Sequence, residues 1–342
     1  MQIIILIPVS INSTRGNQIT GTRWAEMLSH MGHDVQIHDR ASLPANVDAD
    51  WVIALHACRS HAAITTLKSN MDSDQRPEKT RLAICMSGTD LHRDFDPQAL
   101  ASDDQTAKEN YRNTIEVWEA VEAIILLEPQ GMQRIPAKFH DKCTVIYQSA
   151  TPVVDAADTP SDSSDCFRVT VIGHLRPIKD PFRAALAAKQ LPTESRIRID
   201  QYGAALNEEM SRMATQQTAD NPRYHWHGEV THEQAMIQLA SSDLMVLSSI
   251  NEGAPSVISE SIVNDVPVVA SRIDATIGLL GADFPGLFEV GDTAGLAKIL
   301  ARAESDPKFL EQLRSAGAKR KPLFSANREA DSLRDLLDSR RN

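Results

Sequence analysis

Two glutamates, Glu252 and Glu260, stand eight positions apart around the turn Gly253-Ala254-Pro255-Ser256, with an apolar run from Val266 to Ala270 behind them. The pattern predicts a strand over Leu244–Leu247, a tight turn, and a helix opening near Pro255 or Ser256. Proline suits the first helical position and serine the cap. Free backbone amides at a helix start, with the helix dipole behind them, attract a phosphate or diphosphate. Carboxylates only accept hydrogen bonds, so Glu252 and Glu260 suit neutral hydroxyls on either side of such an anion. The ligand class that fits carries hydroxyls at both ends and phosphate between them, as a nucleotide sugar does. A loop glutamate followed by a solvated helix face would give the same letters, so the spacing needs a second signal.

That signal is the strand-like run Phe167–Ile172, which enters Gly173-His174-Leu175-Arg176-Pro177-Ile178-Lys179-Asp180-Pro181. Gly173 lets the backbone turn closely at the strand end. Arg176 and Lys179 then bring two cations to the place where a diphosphate would lie, and His174 adds a hydrogen-bond donor. Transfer of a sugar from its diphosphate builds negative charge on the leaving group, which fixed cations stabilise. His225 and His227 flank Trp226 and share one strand face, but no third ligand stands near them, so no metal is expected.

Together the two motifs resemble those of family 4 glycosyltransferases, enzymes of the GT-B fold. The resemblance implies that Glu252 holds hydroxyls of the donor sugar and Glu260 the nucleotide ribose. Gly253, Ala254, Pro255 and Ser256 then meet the diphosphate, together with Gly173 and His174. The family's glycine loop usually reads Gly-Arg-Leu, with a lysine five residues beyond the arginine. Lys179 matches that lysine, His174 stands where the arginine is expected, and Arg176 becomes the second cation. The catalytic set is then Lys179, Arg176 and Glu252.

The elements needed to position these groups follow from hydrophobic patterning. Apolar runs alternate with amphipathic stretches throughout, which signals a parallel α/β architecture. Strands are expected over Ile3–Pro8, Val35–His38, Trp51–Leu55, Leu82–Met86, Ala123–Leu127 and Thr144–Tyr147. A second series covers Phe167–Ile172, Ile197–Tyr202, Tyr224–Trp226, Leu244–Leu247 and Val266–Ala270. Helices are expected over Thr20–Met31, Asp104–Val121, Asp180–Gln190, Asn207–Gln217, Thr231–Ser241, Ser256–Asn264, Thr293–Ala303, Pro307–Ala316 and Asn327–Leu337. Thr151–Asp165, rich in Asp, Ser, Thr and Pro, reads as a linker. The expected fold class is α/β, GT-B: two Rossmann-like doubly wound parallel-sheet domains facing a cleft. An acceptor-side domain spans 1–152, a nucleotide-sugar domain 166–325, and a helix over 326–342 returns to the first.

Composition sets further bounds. At 342 residues and 42% hydrophobic content the chain can build two cores. The run Ile3–Ile7 is too short for a signal-peptide core or a membrane span. Four scattered cysteines without metal spacing point to a reduced, cytoplasmic protein. A net charge of −11 argues against nucleic acid as a partner. No cofactor is expected beyond a UDP-sugar as donor substrate.

Acceptor chemistry falls to loops after the N-terminal strands. These are Ser13-Thr14-Arg15-Gly16-Asn17-Gln18 with Thr22-Arg23-Trp24, Leu55-His56-Ala57-Cys58-Arg59-Ser60, and Ser87-Gly88-Thr89-Asp90-Leu91-His92-Arg93-Asp94. Each brings an arginine or histidine, which in an acidic chain suggests a small anionic acceptor; salt bridges to Asp90 and Asp94 would give the same letters. These blocks, with Tyr147-Gln148-Ser149 and Gly-His-Leu-Arg-x-x-Lys-Asp-Pro, resemble the selenosugar synthases of selenoneine biosynthesis. The resemblance implies that selenophosphate attacks the anomeric carbon of UDP-N-acetylglucosamine or UDP-glucose. Arg15, Gly16, Asn17, Arg23, His56, Arg59, Thr89, Asp90 and Arg93 would bind the acceptor. Selenophosphate is already anionic and soft, so such a reaction needs no general base. A conventional transfer to a hydroxyl or thiol, an epimerase of the same fold, and a non-catalytic nucleotide-sugar-binding protein remain the alternatives.

Overall fold

The computed structural model describes residues 1–8, 16–44, 47–73, 80–87, 90–153 and 166–339. The chain divides into two compact units. The first is built from residues 1–148, 252–254 and from 327 onward, the second from 149–251 and 255–326.

In the first unit β1 (Gln2–Ile7) leads to α1 (Gly16–His30), β2 (Asp34–Asp39), β3 (Trp51–Leu55), α2 (Ala57–Ser73), β4 (Arg81–Met86), α3 (Gln105–Ala120), β5 (Ala123–Leu126) and β6 (Cys143–Val145). The six strands form one parallel sheet in the order β2-β1-β3-β4-β5-β6. A parallel sheet is covered on both faces, which is why β1 and β3 read as unbroken apolar runs. Alternate residues point to opposite faces. Ile4, Leu6, Val52, Ala54, Leu82 and Ile84 pack with Ile64, Val117 and Trp118 on one side. Ile3, Ile5, Trp51 and Ile53 pack on the other with Trp24, Leu28, Leu333, Leu336 and Leu337. The last three side chains belong to a C-terminal helix, Ala326–Ser339. Its Glu329, 0% exposed, accepts from Arg23 Nε at 3.0 Å and from Trp24 Nε1 at 2.7 Å.

The second unit runs β7 (Phe167–Ile172), α4 (Arg183–Ala188), β8 (Ile197–Tyr202), α5 (Glu208–Asp220), β9 (Tyr224–Trp226), α6 (His232–Ala240), β10 (Leu244–Leu247), α7 (Ser256–Val263), β11 (Val268–Ser271), α8 (Asp274–Leu280), β12 (Leu287–Phe288), α9 (Thr293–Ser305) and α10 (Pro307–Ala318). The C-terminal helix is α11. Its sheet is also all parallel, in the order β12-β11-β10-β7-β8-β9. The chain therefore winds outward in opposite directions from the neighbouring strands β7 and β10. Open α/β sheets bind ligands beyond the carboxyl ends of strands at such a reversal.

Several elements differ from the sequence expectation. The segment after β3 is not a loop, because α2 begins at Ala57 and takes Cys58, Arg59 and Ser60 into its first turn. The stretch Asp90–Asp94 is a single wide helical turn. The short elements α8 and β12 carried too few residues to show a period. β11 starts at Val268 and not Val266; Pro267 has no amide to donate, although its carbonyl accepts from the Met245 amide at 2.9 Å. Most of the expected linker, 154–165, lies outside the described residues, and Val153 donates to Asn264 Oδ1 at 2.8 Å. Among the described residues no helix is long and apolar enough to cross a membrane.

Candidate functional site

The loops after β7 and β10 meet at the reversal point of the second sheet. Gly173, whose φ is +152°, directly follows β7, and Gly203, with φ of +142°, directly follows its neighbour β8. A Cβ on Gly203 would overlap the carbonyl group of Gly173, so the two backbones touch where only glycine fits. That approach lets the Ala204 amide donate to His174 Nδ1 at 3.1 Å. A backbone amide can only donate, so Nδ1 accepts and His174 carries a proton on Nε2. The Lys179 side chain runs over Gly173, with Cδ 3.3 Å from where a Cβ would stand. Gly173 therefore does more than permit the turn: it leaves the channel the lysine occupies. Arg176 is exposed at the cap of the short turn Pro177–Lys179 and makes no capping bond.

On the β10 side, Ile250 donates its amide to Ile178 O at 2.9 Å, and the buried Ser248 hydroxyl donates to Asp180 O at 2.8 Å. α7 begins at Ser256, with Pro255 at the cap and no side-chain capping bond. The expected order is thus shifted by one: proline takes the cap and serine the first helical position, and Ser256 is exposed. The cap residue itself offers no side-chain acceptor to the opening amides of the helix. Glu260 lies on this helix, half-buried, with Oε1 3.8 Å from His232 Nε2. Glu252, Gly253 and Ala254 cluster with the first unit, where Ala254 packs beside the Ile3–Ile5–Ile7 face.

His227 is held by Asp200 and Tyr202. Its Nε2 lies 2.7 Å from Asp200 Oδ1, and its ring stacks on Tyr202 at 4.6 Å and 12°. Burial pushes the Asp200 carboxyl up, but hydrogen bonds from His227 and Arg198 outweigh it and hold the group below its ordinary range.

In the first unit, Arg15 and Thr89 lie outside the described residues, and Arg93 is placed only as part of the turn Asp90–Asp94. Gly16 and Asn17 open α1, and Arg59 sits half-buried in the first turn of α2. The Arg23 guanidinium clasps Glu329 with bonds from Nε and a terminal nitrogen. His56 and Asp90 are 2% and 1% exposed, and they face each other. His56, with φ of +68°, has Nε2 3.4 Å from both Asp90 Oδ1 and Asp94 Oδ2. Burial drives the Asp90 carboxyl well above its usual range, while its Oδ2 accepts from the amides of Ala57 at 3.0 Å and Ser87 at 3.3 Å. These three side chains could in principle gather around a cation. The Arg59 amide points at His56 Nδ1 from 3.5 Å, and Nε2 is left facing the two carboxyl groups. Through Asp90 Oδ2 the cluster ties together the residues that follow β3 and β4. Cys58 beside it donates to Asn110 Oδ1, and burial, with Asp94 nearby, pushes its thiol to about 11.

Sequence reading did not single out Ser248, Gly203 or Glu329. Gly203 directly follows a strand, and that position was the one available signal. A serine in an apolar strand end and a glutamate in an amphipathic helix look unremarkable.

Residues 161–320 match the family model described as Glycosyl transferases group 1. No curated protein matches the chain. Among solved structures, sucrose-phosphate synthase from Thermosynechococcus elongatus aligns with a TM-score of 0.76 and 17% identity, covering 99% of both chains. HepE from Anabaena, crystallised with UDP and glucose, aligns with a TM-score of 0.73 and 17% identity over 99% of this chain and 100% of its own. An α,α-trehalose-phosphate synthase (UDP-forming) from Burkholderia vietnamiensis aligns at 0.67 and 12% identity, covering 96% of this chain and 81% of its own. The fold is GT-B.

Proposed function

We propose that the chain is a glycosyltransferase that uses a UDP-sugar and hands the sugar to selenophosphate. One observation carries the donor half of this reading. The loop bearing Lys179 and the open start of α7 follow β7 and β10, the two strands between which the order of the second sheet reverses. Diphosphate oxygens would take the α7 amides, the His174 Nε2–H, and the charges of Lys179 and Arg176. Glu260 would accept from the ribose hydroxyls and Glu252 from those of the donor sugar. The co-crystallised UDP of the similarly folded Anabaena protein favours that nucleotide.

In the reaction, the selenium lone pair forms a bond to the anomeric carbon while the bond from that carbon to the diphosphate oxygen breaks. UDP departs with the electron pair, and the growing charge is met by Lys179 and Arg176. Water then cleaves the selenium–phosphorus bond, releasing phosphate and leaving a 1-selenosugar. The nucleophile arrives as an anion, so the chemistry depends on positioning and leaving-group stabilisation and needs no base. The acceptor half rests on the resemblance of the first-unit loops to selenosugar synthases. Arg59, Arg93, Arg15, Gly16, Asn17 and Thr89 would grip the phosphoryl oxygens, with Arg23, His56 and Asp90 supporting them from behind.

Incubation of the purified chain with UDP-N-acetylglucosamine or UDP-glucose and selenophosphate, followed by mass spectrometry, tests the reading. A product with the selenium isotope pattern and one released UDP is the expected result. Sugar transfer to hydroxyl acceptors, with nothing from selenophosphate, would remove the selenium and leave the glycosyltransferase. Arg59→Ala should raise the apparent KM for selenophosphate about tenfold to a hundredfold, the loss of one charge-assisted bond, with UDP affinity unchanged.

A further inference from the structure

We propose that Ser248 is a positioning residue that sets the place of the Lys179 ammonium through the backbone of the Lys179–Asp180 turn. The inference rests on the donor-site reading above. Ser248 follows the last residue of β10, is 3% exposed, and points its hydroxyl at the neighbouring loop. That hydroxyl donates to Asp180 O at 2.8 Å and lies 3.4 Å from Lys179 O. One residue pair further on, the Ile250 amide donates to Ile178 O at 2.9 Å. The segment that leads to Glu252 is thus bonded to three successive carbonyls of the segment that carries Lys179.

The turn needs such a hold. Asp180 adopts φ of +43° and ψ of 54°, the left-handed region that a residue with a Cβ enters at a cost. Its side chain is held from the other side, by Arg183 Nε at 2.7 Å. Between these two fixings the Lys179 side chain leaves the turn and lies across Gly173. Without the Ser248 bonds to the Lys179 and Asp180 carbonyls, the turn would be free to relax from the left-handed geometry of Asp180, and the Lys179 side chain that leaves this turn would shift from its place over Gly173. The ammonium would then miss the leaving diphosphate, although no group that touches substrate had changed. Isoleucines at 178 and 250 are both exposed and cannot replace the lost bond with a side-chain contact to a polar partner.

Steady-state kinetics and UDP calorimetry on Ser248→Ala, Ser248→Thr, Lys179→Ala and the Ser248→Ala/Lys179→Ala double variant test the inference. Ser248→Ala should lower kcat about tenfold to a hundredfold, the scale of a catalytic group displaced by an ångström or less, with KM for the UDP-sugar changed less than about twofold. Ser248→Thr keeps the hydroxyl and should restore most of kcat. The double variant should be no slower than Lys179→Ala alone, because Ser248 acts only through that lysine. Multiplicative losses in the double variant, or an unchanged kcat in Ser248→Ala while Lys179→Ala is slow, overturn the positioning role alone. If Lys179→Ala leaves both kcat and UDP affinity untouched, the donor-site reading fails and this inference with it. Should Ser248→Ala not fold, Ser248→Cys, of similar size but a weak donor, carries the same comparison.

Discussion

A Cβ on Gly203 would overlap the carbonyl group of Gly173, so the ends of β7 and β8 lie in backbone contact. The Ala204-to-His174 bond depends on that contact. Gly203→Ala should push the two loops apart and strain its own φ of +142°, costing about 1–3 kcal/mol. The expected readouts are a lower melting temperature and weaker UDP binding together. Wild-type affinity for UDP in a folded Gly203→Ala protein would show that the contact is not needed for the ligand.

The two glutamates should separate in a binding experiment. Glu260→Ala should weaken UDP itself by about 1.5–3 kcal/mol, the worth of a hydrogen bond to a charged acceptor. Glu252→Ala should leave UDP affinity intact and weaken only the UDP-sugar. Calorimetry with both ligands on both variants decides it, and equal UDP affinity in wild type and Glu260→Ala would remove Glu260 from the nucleotide.

Glu329 is a buried charge whose acceptor capacity is used by Arg23 and Trp24. Glu329→Ala would strand the Arg23 guanidinium and the indole N–H, and should cost about 3–5 kcal/mol. Arg23→Ala should likewise appear as a stability loss in urea unfolding, whereas Arg59→Ala should not. If Arg23→Ala instead raised KM for the acceptor at unchanged stability, the arginine would belong to the substrate after all.

Asp200 gives the acid limb a defined sign. Its carboxyl is held below the ordinary 3.8, burial being outweighed by hydrogen bonds from His227 and Arg198. The ionised form is favoured in the folded chain, so this contribution is present above the ordinary value and is lost as pH falls through the lowered one. Asp200→Asn should therefore reduce the urea midpoint at neutral pH, and the gap from wild type should close as pH drops below 3.8. A constant gap across that range would assign the loss to packing.

Much of this architecture is written locally. β3 and β10 begin and end where their apolar runs do, because a strand buried on both faces has no polar positions to blur it. The expected donor motifs, with Gly173, Lys179, Glu252 and Glu260, lie within the region 161–320 that matches a glycosyltransferase family model. What escaped depends on distant partners. Arg23, His56 and Asp90 have the letters of an anion site, yet Arg23 is claimed by Glu329 from 306 positions away and the other two by each other. Nor does Ser248 announce a bond to the backbone of Asp180. α2 was missed because its first turn, Cys58-Arg59-Ser60, is polar and follows a residue with positive φ, so the helical period emerges only at Ile64 and Leu67.

The discontinuous make-up of the first unit has a consequence for the order of folding. During synthesis from the N-terminus, residues 1–148 emerge well before Leu333, Leu336 and Leu337, which complete one face of their sheet. The Trp24–Glu329 bond closes a loop of 305 residues, whose entropic cost is met only after the second unit has emerged. The second unit, by contrast, has its whole sheet within one stretch of chain and can fold while the ribosome is still at work. Until α11 arrives, the face that Trp24 and Leu28 share with Ile3, Ile5 and Ile7 would lack the Leu333, Leu336 and Leu337 side chains that complete it.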